Sequence, residues 1–329
     1  MLTNGMNKLI KKLKKIIITI LPSRLVKILI DILIDIHVFY ALGKNRLSIK
    51  KHKMFFDVKD RSGRCIRISH KHNIYLLDII NSFQYYFKAV KPIEIDGIRL
   101  IDYSTPRYHE VNGYDIHPII FPSFAEPIST TEQYLKFAKL KNNSIVLDLG
   151  AYSGLTSILF DQAISNNGQV IAVDADRVNI KYIKKNLALY KKMTGRDIRL
   201  LEGAVWENNR GVMFSNEGNM GSSVASIIGQ QRGTIIKTSS FTLSTIARKY
   251  HLKKIDFIKC DIEGAESVIF KDRKFFDKNR PKIIIEPHII DNVSTIQSCI
   301  DQLSIYGYKF KKINQNGVNL PLLECLPLE

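Results

Sequence analysis

The chain has 329 residues, 45% of them hydrophobic, with four cysteines and a formal net charge of +18. That length can bury a full core and suits one large domain with additions. The cysteines (Cys65, Cys260, Cys299, Cys325) stand too far apart for a disulfide framework or a zinc motif, which suits a reduced compartment. The positive charge comes without a finger or helix-turn-helix signature, so nucleic acid is not an expected partner.

The charge is concentrated at the start of the chain. Residues 1–60 hold 13 Lys/Arg against 4 Asp/Glu, an excess equal to half of the total. In residues 7–17, Lys8, Lys11, Lys12 and Lys15 fall on one side of a helical wheel, with Leu9, Leu13, Ile16 and Ile17 on the other. After Pro22 a second apolar helical pattern runs from Leu25 to Leu42. Its aliphatic residues favour membrane insertion by about 4–7 kcal/mol, and Lys27, Asp31 and Asp35 oppose it by about 8. Residues 1–49 therefore read as a basic amphipathic segment lying on an anionic membrane surface. The alternative is a helical hairpin packed on the rest of the chain or on a second copy in a homodimer. The expected location is cytoplasmic, on the inner face of the membrane in the first case.

Residues 50–129 read as a small α+β region, a lid or substrate-docking element. Met54–Ser69 has the pattern of a hairpin turning at Arg61-Ser-Gly63, and Asn73–Val90 has helical periodicity. Ile98–Ile101 and Ile116–Phe121 are short β-like pieces.

The third part, residues 130–329, carries the chemistry. Ile145-Val-Leu-Asp-Leu-Gly150 is a buried-type strand that stops at glycines and restarts as a helix after Gly154, which places backbone N–H groups and a helix N-terminus beside a ligand. Gln169-Val-Ile-Ala-Val-Asp174 is a second strand, and its terminal acid is placed for a ribose diol. A pyrophosphate cofactor wants a tight Gly-x-Gly-x-x-Gly turn. Here Asp148-x-Gly150-x-x-x-Gly154 presents an acid instead, which suits the ammonium of S-adenosylmethionine. Asp197–Glu202 is a third strand leading to Gly203-Ala204, where an adenine edge can be read. The loop Asn216–Ser223 reads as a substrate loop or a plain surface turn. Ile255–Asp261 and Lys282–Glu286 are further strands ending in acids. In an open α/β sheet these ends share one rim, so Asp148, Asp174, Glu202, Asp261, Glu286 and His288 are expected along it. The fold class is α/β, a doubly wound Rossmann-like sheet with an N-terminal helical and α+β extension.

These motifs resemble the FkbM family of S-adenosylmethionine-dependent methyltransferases over roughly residues 126–310. The carrying stretches are Val146-Leu-Asp-Leu-Gly-Ala-Tyr-Ser-Gly154, Val170–Asp174 with Asn186 beyond it, Lys259-Cys-Asp-Ile-Glu-Gly-Ala-Glu266 and Ile283–His288. The chain departs from the family at Thr242-Leu243-Ser244, where a Thr-Leu-Asp is usual, and at Asp174-Ala175, where Glu-Pro is frequent. The resemblance implies a class I fold and O-methylation, often of sugar hydroxyls in glycans or of small natural products. It places the cofactor at Asp148, Gly150, Ala151, Gly154, Asp174, Ala175, Glu202, Gly203, Ala204 and Asp261.

A sulfonium methyl is already activated, so the protein must align an acceptor oxygen and take its proton. His288 is the expected base, oriented by Glu263 or Glu286. Alternatively Asp261, Glu286 and His288 hold a divalent metal. The readings in competition are a glycan or glycolipid O-methyltransferase at a membrane surface, an O-methyltransferase of a soluble small molecule, and a non-catalytic binding protein.

Overall fold

A computed structural model describes residues 36–126, 128–164, 167–227, 233–290, 293–315 and 320–328. The amphipathic pattern of residues 7–17 and most of 25–42 lies outside these residues. Residues 36–45 are helical, with Ala41 and Leu42 in the core and Ile36 and Phe39 exposed. Among the described residues no helix is long and apolar enough to cross a membrane.

The N-terminal unit is a five-stranded sheet. Strands β1 (Leu47–Lys51), β2 (Phe55–Asp60) and β3 (Arg64–Ser69) form an antiparallel meander. A short 3-10 turn (His70–Tyr75) and helices α1 (Leu76–Asn81) and α2 (Phe83–Ala89) follow. Strands β4 (Ile93–Ile95) and β5 (Ile98–Tyr103) then complete the order β1-β2-β3-β5-β4, with β5 parallel to β3. The expected hairpin is present. The unit starts at Leu47 rather than at residue 50, because Leu47–Lys51 pairs residue by residue with Phe56–Asp60. The helical pattern of Asn73–Val90 is broken at Ser82, whose φ of −124° leaves the helical region. Of the Ile116–Phe121 piece, only Ile119–Ile120 pairs as a strand.

Helix α3 (Ile128–Ala138) leads into the main sheet. Strand β6 (Ile145–Leu149), helix α4 (Leu155–Ala163), strand β7 (Gln169–Asp174), helix α5 (Arg177–Thr194) and strand β8 (Arg199–Glu202) build one half. An antiparallel insertion follows: β9 (Val212–Asn216), β10 (Ser223–Val224) and β11 (Thr234–Thr238). Helix α6 (Leu243–Lys249) and strand β12 (Phe257–Cys260) come next, then α7 (Glu266–Ile269), β13 (Lys282–Ile285), α8 (Ile296–Ser304), β14 (Tyr308–Asn314) and β15 (Pro321–Pro327). The order is β8-β7-β6-β12-β13-β15-β14. The five strands from β8 to β13 are parallel, and β15 runs antiparallel to both neighbours.

The parallel strands are apolar on both faces, as a sheet covered on both sides requires. Leu147, Leu149, Ile171, Val173, Ile258, Cys260, Ile283 and Ile285 pack on the α6 and α8 side. Val146, Val170, Ala172, Phe257 and Ile284 join the opposite core, which runs through Ile158 to Ile66 and Phe83 of the N-terminal unit. The period of two then decides where the polar side chains go: Asp148, Lys259 and Asp174 share the parity of Val146, Phe257 and Ala172, so they face the N-terminal unit. The chain leaves β6 toward β7 and β8, then returns to the other side of β6 with β12. This reversal of strand order opens a crevice at the carboxyl ends of β6 and β12.

Candidate active site

A cleft of about 380 Å³ lies at that reversal. Its floor comes from the strand ends, through Gly150, Asp174, Lys259, Asp261, Glu286 and His288. One wall is a stripe of the N-terminal unit, where Tyr75, Asp78, Ser82 and Tyr86 recur at helical spacing. The other wall includes Met220 and Ser222 of the loop after β9. That loop is a wall and not a free surface turn, because Asp176 ties it down. Asp176 caps α5 through the N–H groups of Val178 and Asn179, and its Oδ2 accepts from Gly218 N at 2.8 Å and Ser222 Oγ at 2.6 Å.

The first turn depends on two glycines. Gly150 has φ +79°, and a Cβ there would run into the carbonyl of Asp261 on the neighbouring strand. Gly154, with φ +81°, begins α4. Tyr152 also sits in the left-handed region (φ 50°), and its N–H donates to Asp174 Oδ2 at 2.8 Å. Its hydroxyl accepts from Ser123 N and Phe124 N and donates to Phe124 O, which pins the segment before α3. Asn186 on α5 holds the same segment through both backbone groups of Ile120.

The expected rim residues separate into groups. Asp174, Asp261, Glu286 and His288 line the cleft, as do Gly150, Ala175, Gly203 and Ala204. Asp174 also accepts from Asp176 N at 2.9 Å. Burial, reinforced by the Asp176 charge, pushes its carboxyl up to about 7. Asp148 is fully buried beneath the floor and does not line the cleft. Its Oδ2 accepts from Thr156 and Ser157 at 2.6 and 2.5 Å, and Lys259 stands 3.6 Å from Oδ1. Ala151 and Gly154 shape the turn from behind the lining. Glu202 points outward and pairs with Lys184 on α5 at 2.6 Å. Of the expected cofactor residues, these four lie off the lining: Asp148 one residue before the end of β6, Ala151 and Gly154 behind the turn, and Glu202 on the outside of β8.

Two buried charged residues of the lining, Lys259 and Glu126, have no role expected from the sequence. Lys259 is 2% exposed and lies between Asp148 and Asp261 (3.4 Å), donating to Gly150 O at 2.6 Å. Burial works against its charge, but Asp261 and Asp148 outweigh it and hold it above the ordinary lysine value. A lysine inside the apolar run Phe257-Ile-Lys-Cys was the available signal. The other is Glu126, whose Glu-Pro context before a helix reads as an ordinary helix start.

At the far side of the floor, Asp261, Glu263 and His288 bring one ligand atom each within 4.8 Å of one another. His288 Nε2 is 3.6 Å from Asp261 Oδ1 and 3.4 Å from Glu263 Oε1. Its Nδ1 is 3.1 Å from Glu266 Oε1, a fully buried carboxylate that also accepts from Gly264 N, His288 N and Thr295 Oγ1. Glu263 reaches the imidazole from a left-handed residue (φ 51°), held by Ser223 Oγ donating to its carbonyl at 2.7 Å. Glu286, expected as the third ligand, instead accepts from Tyr134 OH at 3.0 Å. Burial lowers the basicity of His288, but Glu263 and Glu266 reverse the balance and raise its pKa well above 6.5.

The residues present fit S-adenosylmethionine. Asp174 presents a desolvated carboxylate to a ribose diol, and Ala175, Ala204 and Val205 leave a narrow apolar slot beside it for an adenine. The sheet and this site together define a Rossmann-like class I methyltransferase that uses S-adenosylmethionine. Residues 148–310 match the family model described as "Methyltransferase FkbM domain", and the chain belongs to that family. Similar solved structures include the FkbM methyltransferase from Methylobacillus flagellatus KT (18% identity, 59% of this chain and 50% of that one, TM-score 0.39). An O-methyltransferase from Bacillus cereus in complex with SAH is 12% identical (62% of this chain, 82% of that one, TM-score 0.39). Precorrin-6y C5,15-methyltransferase from Geobacter metallireducens GS-15 is 14% identical (59% and 84%, TM-score 0.37). No curated protein matches the chain. Ser244, which replaces the family's usual carboxylate, donates through N and Oγ to Asp272 at 2.7 and 2.6 Å, away from the cleft.

Proposed function

We propose that the protein O-methylates a hydroxyl of a sugar in a glycan or glycolipid, and that Asp261, Glu263 and His288 hold a divalent cation beside that hydroxyl. The observation that carries the reading is the orientation of His288. Its Nδ1 faces the buried Glu266 carboxylate and its Nε2 faces Asp261 and Glu263, so a cation among these three would take the place of the Nε2 proton, the arrangement metal-ligating histidines favour. Two carboxylates and one imidazole suit Mg²⁺ or Mn²⁺.

Bound S-adenosylmethionine supplies a methyl group already activated on sulfur. The protein's own task is to hold the acceptor oxygen in line with that group and to ease loss of its proton. A cation held by Asp261, Glu263 and His288 would supply Lewis-acid polarisation of that hydroxyl. Asp78, Asn81, Glu263 and Glu286 offer polar groups for neighbouring hydroxyls, while Tyr75, Tyr86 and Phe124 supply flat apolar faces for the C–H side of a sugar ring. The glycolipid part of the proposal rests on the basic amphipathic sequence of residues 1–42.

The test is transfer of tritiated methyl into glycan, glycolipid and small-molecule panels, with and without chelator. Label should enter carbohydrate hydroxyls, stop with chelator and return with Mg²⁺ or Mn²⁺. Full transfer in chelator would remove the cation, and label confined to non-sugar small molecules would remove the acceptor class.

A further inference from the structure

The charges lining the cleft do not balance. Among the described residues, six carboxylates line it, against one lysine and one histidine. Three of them, Asp261, Glu263 and Glu286, belong to the floor around His288, and Asp174 closes β7. Asp78 stands on the N-terminal stripe. Glu126 lies beside the Gly150–Gly154 turn, within electrostatic reach of Lys259 and Asp261.

Glu126 is 7% exposed, and its Oε2 accepts from Ser153 Oγ at 2.8 Å. Ser153 is itself fully buried; its Oγ accepts from Leu155 N at 3.2 Å, and its carbonyl accepts from Asn186 Nδ2 at 2.9 Å. The carboxylate is thus fixed to the start of α4 on one side. On the other, the Tyr152 hydroxyl pins the segment Ser123–Phe124 that delivers it. Nothing about this anchoring supplies a counter-charge. Lys259, the lysine of the lining, is already placed between Asp148 and Asp261 and donates to Gly150 O. An ionised carboxylate buried without an ion pair is unfavourable, so this rigidly held position takes up its charge when a cation arrives.

We infer that Glu126 receives the α-ammonium of the methionine end of S-adenosylmethionine. The place fits the chemistry: neighbouring residues of the Gly150–Gly154 turn hold the two acids, Ser153 Oγ donating to Glu126 and Tyr152 N to Asp174, the acid assigned to the ribose. The sequence had given the ammonium to Asp148, but the hydroxyls of Thr156 and Ser157 and the ammonium of Lys259 already surround that acid below the floor. In agreement, burial pushes the Glu126 carboxyl up to about 8, so without a cation it holds a proton near neutrality. This role rests on the cofactor assignment and is independent of the acceptor.

Calorimetric titration with two ligands tests it. S-adenosylhomocysteine carries the ammonium, whereas 5′-methylthioadenosine keeps the nucleoside and thioether but has no amino acid. Glu126→Gln should weaken S-adenosylhomocysteine about 10- to 100-fold, the size of a lost charged hydrogen bond, and leave methylthioadenosine within about twofold. Unchanged affinity for S-adenosylhomocysteine would overturn the role, and so would an equal loss for both ligands. If thermal melting shows that Glu126→Gln does not fold, Ser153→Ala carries the test: it frees the carboxylate from its anchor and should weaken only the ligand with the ammonium. Wild-type protein that binds neither ligand would refute the cofactor assignment and this role with it. Wild-type binding of both, with an unaffected Glu126→Gln, would refute this role alone.

Discussion

Replacing Gly150 with alanine tests whether the approach of β6 to β12 builds the cofactor turn. Two separate penalties apply. At φ +79° an L-residue loses about 1–2 kcal/mol relative to glycine. The new methyl group would also fall inside the carbonyl of Asp261, 2.9 Å from its carbon and closer still to its oxygen, so the end of β12 must move. That displacement threatens the bonds from Asp261 N to Leu149 O (3.1 Å) and from Glu286 N to Cys260 O (2.9 Å), together about 1–3 kcal/mol. Gly195 provides the control, because it has φ +74° at the end of α5 and open space where its Cβ would stand. Gly195→Ala should therefore lose about 1–2 kcal/mol and Gly150→Ala about 2–5. At about 2–4 °C per kcal/mol, the melting temperatures should fall by roughly 2–8 °C and 4–20 °C. Titration with S-adenosylhomocysteine separates the two further: affinity should survive Gly195→Ala and fall at least about tenfold in Gly150→Ala, since the moved carbonyl lies on the cleft floor. Equal melting temperatures for the two variants, or wild-type affinity in Gly150→Ala, would refute the argument.

Asp174 should make the protein's stability fall with pH. Its folded pKa, about 7, lies above its ordinary value of 3.8. Its stabilising share is therefore complete below about pH 4 and is lost as pH rises through about 7. The span corresponds to about 2–4 kcal/mol. Denaturant unfolding at pH 5 and pH 8 should show a smaller drop for Asp174→Asn than for wild type, and parallel drops would count against the assignment. Asp78 is the acceptor-side counterpart. It projects from α1 into the cleft, whose wall partly desolvates its carboxyl and raises its pKa although the side chain stays open to solvent. Asp78→Ala should raise the acceptor KM about 5- to 50-fold and leave the affinity for S-adenosylhomocysteine unchanged; a shift in cofactor affinity would place it at the wrong end.

The order of the main elements was readable because buried parallel strands are apolar on both faces and end abruptly. Val146–Leu149, Val170–Val173 and Ile283–Ile285 admit little but strand, and α5 announces itself through Ile180, Ile183 and Leu187. The N-terminal unit was less legible. Leu47–Lys51 carries only half-buried and exposed residues, so its alternation is weak and its pairing with β2 decides it. Ser82 interrupts a helical pattern that sequence periodicity alone carries straight through. The α1 and α2 stripe had apolar spacing in sequence, yet Tyr75, Asp78, Ser82 and Tyr86 look onto the cleft, a role that appears only once the unit is seated over β6.

For the site, each acid at a strand end was visible, but its direction was not. One residue along the strand separates an acid that lines a cleft from one that stabilises its floor. Asp148 shares its sheet face with Asp174, but it precedes the strand's end by one residue. It therefore meets Thr156, Ser157 and Lys259 where Asp174 meets the opening. Lys259 is its register partner on β12, so the pair is a consequence of β6 and β12 being neighbours across the reversal, a fact of topology and not of motif. That lysine attracts Glu126 as well, but its direct contacts go to Asp148, Asp261 and Gly150 O. The same reasoning explains why Glu263, not Glu286, joins Asp261 and His288. Glu286 continues β13 and turns to Tyr134, whereas the left-handed turn at Glu263 throws its side chain back across the end of β12. Strand pairing first assigns the charged groups that hold the sheet together. Asp261 shares Lys259 with Asp148, and Glu126 beside the glycine turn and Glu263 beside His288 are the carboxylates that the proposed ammonium and divalent cation would meet.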